Sequence, residues 1–222
     1  MKPIRLVSGF LTVGLWTLLS RILGFARDMM IAAFLGTGPV AEAFLIAFAL
    51  PNMFRRFFAE GAFNMAFVPM FSKKLEGDDG AQRFAQDAFA GMAALLTVFT
   101  VIAVIFMPAL VTMMASGFIG TERFDLAVYY GRIAFPYILF ISLSALLSGV
   151  LNATGRFAAA AAAPVLLNII FIIAVLIGAA IGRPMSDALG VGLDQALGLR
   201  VGDTLALSVP LAGAAQLALV WW

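Results

Sequence analysis

The chain has 222 residues, 63% of them hydrophobic and 12% charged, with a formal net charge of +2 and a mean hydropathy of +1.05. A soluble domain is closer to half apolar and a quarter charged, so the excess apolar surface must face lipid. Cysteine and histidine are both absent, which excludes disulfides, thiolate metal sites and the usual neutral-pH proton shuttle, and the scattered cations form no block suited to nucleic acid.

An all-α membrane protein of about six spans is expected, each needing about 20 mainly apolar residues. Lys2 and Arg5 precede an apolar run from Leu6 to Leu19 that imitates a signal peptide, but no small-x-small cleavage site follows. The segment reads as a retained first span over about 6–35, ending at Gly36-Thr37-Gly38-Pro39. The second covers about 40–71, with Pro51-Asn52 near its middle, and Lys73 to Gly80 is a polar loop. The third, about 83–115, holds Pro108; the fourth, about 124–151, holds Pro136 and ends at the turn Asn152-Ala153-Thr154-Gly155-Arg156. The fifth, about 158–181, opens on the alanine run Ala158 to Ala163, which either admits a neighbouring backbone or is lipid-facing filler. A longer loop is expected from Gly182 to Asp203. The sixth span, about 204–222, is still apolar at Trp222. It reads as a hydrophobic run cut short, with a short span closed by an interfacial tryptophan pair as the alternative. With the N-terminus inside, Lys and Arg near the span ends divide six to three in favour of the cytoplasmic side, which sets that orientation.

Several charges fall where lipid should be. A charge at the bilayer centre costs at least about 2.5–3.5 kcal/mol, so it must face a wet cavity, find a partner or snorkel to the interface. Arg21 and Asp28 are seven residues apart and share one helical face with Gly24 between them, while Arg27 lies about 100° away. Arg21 is too deep to snorkel and reads as cavity-lining; Arg27 and Asp28 are either cavity residues or an interfacial ion pair. On the second span Asn52, Arg56, Glu60 and Asn64 recur every four residues as a polar stripe on which Arg56 and Glu60 can pair. Arg55 points to an adjacent face. Pro51 removes a backbone donor, and broken helices of this kind often build transporter sites. Glu42 is either an interface residue or an acidic partner for Arg27. Arg132, near Tyr129 and Tyr130, is explained by snorkelling into an aromatic belt.

Nothing supports an enzyme. Ser142, Ser144 and Ser148 have no histidine or lysine beside them and read as helix-packing hydroxyls, and Gly36-Thr37-Gly38 lacks the Lys-Ser/Thr of a phosphate loop. Electrostatic binding remains. Guanidinium forks match phosphate, and several in a low-dielectric cavity attract a diphosphate strongly. A cavity open sideways to lipid suits an anion carried on a lipid tail.

The stretch Ser20-Arg21-Ile22-Leu23-Gly24-Phe25-Ala26-Arg27-Asp28 and the run Leu50-Pro51-Asn52-Met53-Phe54-Arg55-Arg56-Phe57-Phe58-Ala59-Glu60-Gly61-Ala62-Phe63, followed by Ala66-Phe67-Val68-Pro69, carry a further resemblance. With Phe135-Pro136-Tyr137 and Leu151-Asn152-Ala153 in order, the chain resembles the N-terminal part of the MurJ (MviN) lipid II flippases of the multidrug/oligosaccharidyl-lipid/polysaccharide exporter superfamily. The resemblance implies the N-terminal lobe of a two-lobed fold of about fourteen helices. It implies a transporter of the bacterial inner membrane that moves lipid II, the lipid-linked peptidoglycan precursor, to the outer leaflet by alternating access. The family's cavity residues fall on Arg21, Arg27, Asp28 and Arg55, with Ser20, Glu42, Asn52, Arg56 and Glu60 as cavity or gate support. At position 42 the family's usual Asp is Glu, which keeps the charge and lengthens the reach. The facing lobe would supply the rest of the site. No cofactor is expected, and a coupling ion is left unspecified. The rival readings are a flippase for another polyprenyl-linked glycan, a multidrug antiporter, which should show unpaired acids instead of an arginine excess, and a non-transporting membrane scaffold.

Overall fold

The computed structural model describes residues 6–60, 62–77, 80–189 and 193–221, with side chains described for these except residues 6–10, 59–60, 62–64, 182–189 and 193–199. The described residues are helical with short turns. The helices are α1 (Leu6–Leu35), α2 (Pro39–Arg55), α3 (Ala62–Glu76), α4 (Ala81–Ile105), α5 (Met107–Met114), α6 (Glu122–Ala134), α7 (Tyr137–Ala153), α8 (Phe157–Leu189) and α9 (Leu193–Trp221). Among the described residues, four helical stretches are long and apolar enough to cross a membrane: Ala81–Ile105, Glu122–Ala153, Phe157–Ile181 and Arg200–Trp221. Three of them overlap the fourth to sixth expected spans, and Ala81–Ile105 covers only the first part of the third.

Prolines set two of the breaks. Pro108 sits in the first turn of α5, where a missing N–H is tolerated, so the third span ends at Ile105 instead of running to 115. Pro136 separates α6 from α7. Pro51 does not break its helix: α2 runs through it to Arg55, and the interruption is a π-helical turn at Arg56–Glu60. The turn at Gly36 depends on a left-handed residue, with φ 67°, a conformation that glycine adopts without strain. The loop expected from Gly182 to Asp203 is mostly absent, because α8 continues to Leu189 and α9 begins at Leu193.

The most extensive packing is between α8 and α9, with α1 laid against α8 and α2 against α6. Gly178 allows the first of these: a Cβ there would come 2.7 Å from the Val201 Cα, so only a bare backbone fits. One buried cluster joins α2, α6, α7, α8 and α9 around Phe44, Tyr130, Phe135, Phe171 and Leu205. A smaller one joins α3, α4 and α7 around Phe67, Phe71, Leu96 and Leu146. Leu15, Phe25, Val98, Ile105 and Leu211 remain more than half exposed, as expected of surfaces solvated by lipid. The alanine run is partly inside the bundle, with Ala163 at 8% exposure.

Candidate functional site

A cavity of about 560 Å³ lies where α1, α2, α7, α8 and α9 meet. Its polar wall consists of Ser20, Arg21 and Arg27 from α1, Asn52, Arg55 and Arg56 around the end of α2, and Asn168 from α8, with Phe48 and Tyr137 as aromatic walls. Among the described residues, four arginines and no carboxylate line it.

The α1 face is Ser20, Gly24 and Arg27, spaced at i, i+4 and i+7, which is one side of an α-helix. Sequence spacing favoured the neighbouring set Arg21, Gly24 and Asp28; of these, Arg21 still reaches the wall and Asp28 does not. Asp28 lies outside, its side chain 65% exposed, against 20% for Arg27. Its Oδ1 accepts from Arg27 Nε at 2.9 Å and Nη2 at 2.8 Å. Arg27 Nη1 donates to Asn168 Oδ1 at 2.8 Å, and the guanidinium sits 5.7 Å from the Phe171 ring centroid, within cation–π range. Of the five N–H groups of a guanidinium, three are thus committed, which leaves two for an anion while the head group is held on both sides. Asn168 is held in turn: its Nδ2 donates to the Ser20 carbonyl at 2.8 Å and to Ser20 Oγ at 3.3 Å. The amide thereby ties α8 to α1 and fixes the position of Arg27.

On α2, Asn52 Nδ2 donates to the Phe48 carbonyl at 2.9 Å. The π turn that follows inserts one residue relative to an α-helix, which rotates what comes after by about 100°. The expected stripe of Asn52, Arg56, Glu60 and Asn64 therefore does not continue straight. Asn52, Arg55 and Arg56 all reach the cavity; the Glu60 and Asn64 side chains lie outside the described residues. Glu42 pairs with Arg123 of α6, Oε2 to Nε at 3.1 Å, so its partner is not Arg27 and it is not on the cavity wall. Arg132 is exposed and is not on the cavity wall.

Asn168, Tyr137 and Gln216 were not singled out from the sequence. Asn168 and Gln216 each stand alone in an apolar span, at Leu167-Asn168-Ile169 and Ala215-Gln216-Leu217, and a lone amide at membrane depth is a readable signal. Tyr137 carries none, since an aromatic in a span is ordinary.

The family model described as "Lipid II flippase MurJ" matches residues 31–221. A probable lipid II flippase MurJ of Rhizobium tropici is 45% identical over 97% of the chain and 39% of the relative. The lipid II flippase MurJ of Burkholderia cenocepacia is 43% identical over 77% of the chain and 34% of the relative. A solved structure of a lipid II flippase MurJ in an inward closed conformation superposes with a TM-score of 0.68 and 24% identity, covering 93% of this chain and 40% of the other; this likeness shows the fold. The chain spans about two-fifths of the length of the first of these relatives. On the family match and the identity to these relatives, the chain belongs to the lipid II flippase MurJ family.

Proposed function

We propose that this chain forms the N-terminal lobe of a lipid II flippase and supplies one wall of its translocation cavity. Arg21, Arg27 and Arg55 bind the diphosphate, with Arg56, Asn52 and Ser20 in support. The observation that carries this reading is a cavity wall that, among the described residues, has four arginines and no carboxylate. A site for organic cations would need the opposite balance, which disfavours the multidrug-antiporter reading. Asp28 acts from outside the cavity by orienting Arg27, and Glu60 is assigned to the same supporting set by family resemblance.

In this reading α1, of 30 residues, also crosses the bilayer, since at 1.5 Å per residue it reaches about 45 Å. The α2–α3 pair crosses as a broken span, which brings the total to six with the N-terminus cytoplasmic. The substrate is lipid II in the inner membrane, carried to the outer leaflet as this lobe moves against a second one. No cofactor is assigned, and a coupling ion is left unspecified. The test is complementation of a flippase-depleted bacterium by a full-length flippase in which this chain replaces the matching segment of the Rhizobium tropici relative. Arg27→Ala in that protein should insert normally and fail to support growth. Normal growth with Arg27→Ala would overturn the assignment.

A further inference from the structure

A second cavity, of about 500 Å³, adjoins the first and shares Arg55 and Gln216 with it. Its size is that of a small-molecule site, and its polar wall differs in kind. Ser144, Ser148 and Asn152 recur every four residues along one face of α7, with Gln216 facing them from α9 and no carboxylate among the described lining residues. Two of these side chains are almost fully buried yet unsatisfied. Gln216 is 2% exposed, and its Nε2 donates to the Ala163 carbonyl at 2.8 Å. A carbonyl only accepts, so the amide cannot be reversed, and Gln216 Oε1 is left with no partner. Ser144 is 3% exposed and its Oγ likewise has none. Thr97, Thr112 and Ser208 take the usual way out on a helix and donate to carbonyls three or four residues back, whereas the Thr100, Tyr130 and Ser142 hydroxyls, away from this cavity, share the lack of a partner with Ser144. Buried polar atoms without partners are rare in folded proteins, and of the five among the described residues these two line the cavity.

We propose that this second cavity is a binding subsite for the uncharged glycan of the lipid-linked substrate. The inference rests on the reading that the arginines hold a diphosphate. A sugar joined to that diphosphate lies next to it, and Arg55 borders both cavities. Hydroxyl and acetamido N–H groups donate to Gln216 Oε1; the serine hydroxyls and the Asn152 amide donate and accept in return. An apolar tail would leave these atoms unsatisfied, and a bare cation would find no carboxylate.

The experiment uses the same full-length protein in lipid nanodiscs and measures binding of a polyprenyl diphosphate with and without its disaccharide. Tighter binding of the glycosylated lipid by about tenfold is expected, because a site built to hydrogen-bond a ligand discriminates strongly against its absence. The Ser144→Ala/Ser148→Ala variant should bring the ratio to within about threefold and leave binding of the bare diphosphate unchanged. Gln216→Leu should also abolish the preference; because Gln216 also holds the Ala163 carbonyl, its melting temperature is measured alongside, and the serine variant decides if it unfolds. Equal binding of the two lipids by the parent, or serine substitutions that leave the preference intact, would overturn the subsite and leave the arginine reading standing. Binding of neither lipid would sink both.

Discussion

Asn168 shows how one side chain can hold a site together. It accepts from Arg27 and donates to Ser20 across 148 residues of chain, at 5% exposure. A buried hydrogen bond to a charged group contributes about 1.5–3 kcal/mol. Asn168→Leu should therefore lower diphosphate affinity by about tenfold or more, by releasing Arg27 from its position. Asn168→Asp should lower it too, for a different reason: a carboxylate at that position pairs with Arg27 and competes with the ligand. Titrations of the two variants check this, and affinity unchanged in Asn168→Leu would mean that Arg27 needs no such support. The arginines were legible in the sequence because a guanidinium at membrane depth has few explanations. The role of Asn168 was not, since its partners lie on another helix and only the packing of α8 against α1 brings them near.

Among the elements, four long apolar helices were legible from apolar length and most breaks from proline and glycine. Two features escaped. Pro51 marked a weak point in the second span, but α2 passes through it and the ladder gives way at Arg56–Glu60 instead; a π turn has no simple sequence signature. The charges between residues 183 and 200 suggested a loop, whereas α8 and α9 extend as helices into that region, since charged residues do not themselves end a helix. The α8–α9 contact makes its own prediction. At Gly178 a Cβ would fall 2.5 Å from Thr204 Oγ1 and 2.7 Å from the Val201 Cα. The threonine can rotate, but the backbone cannot yield without separating the helices. Gly178→Ala should lower stability by about 1–3 kcal/mol, read as a drop in melting temperature in detergent. At Gly24 the nearest atom to an added Cβ is Asn168 Nδ2 at 3.5 Å, an ordinary contact. Gly24→Ala should leave the melting temperature close to that of the parent, and a comparable drop in both variants would contradict this distinction.

At the scale of the whole molecule, the chain separates three environments. Exposed leucine, isoleucine and phenylalanine side chains meet lipid, two apolar clusters hold the helices together, and one concave wall gathers cations. Two described carboxylates expected at the site are off that wall, Asp28 outside Arg27 and Glu42 on Arg123. The net charge of +2 hides this asymmetry, which appears only when helices distant in sequence are brought together. A wall of this kind should select for a phosphate-bearing lipid over a neutral one of the same tail. The most direct measurement is equilibrium binding of a polyprenyl diphosphate and of the matching polyprenol to the full-length protein in nanodiscs, with Arg21→Ala, Arg27→Ala and Arg55→Ala compared with the parent. The expected result is a strong preference for the diphosphate that falls by about tenfold or more in each variant, the scale of one charge-assisted hydrogen bond. Equal affinity for the two lipids, or a preference that survives all three substitutions, would contradict it.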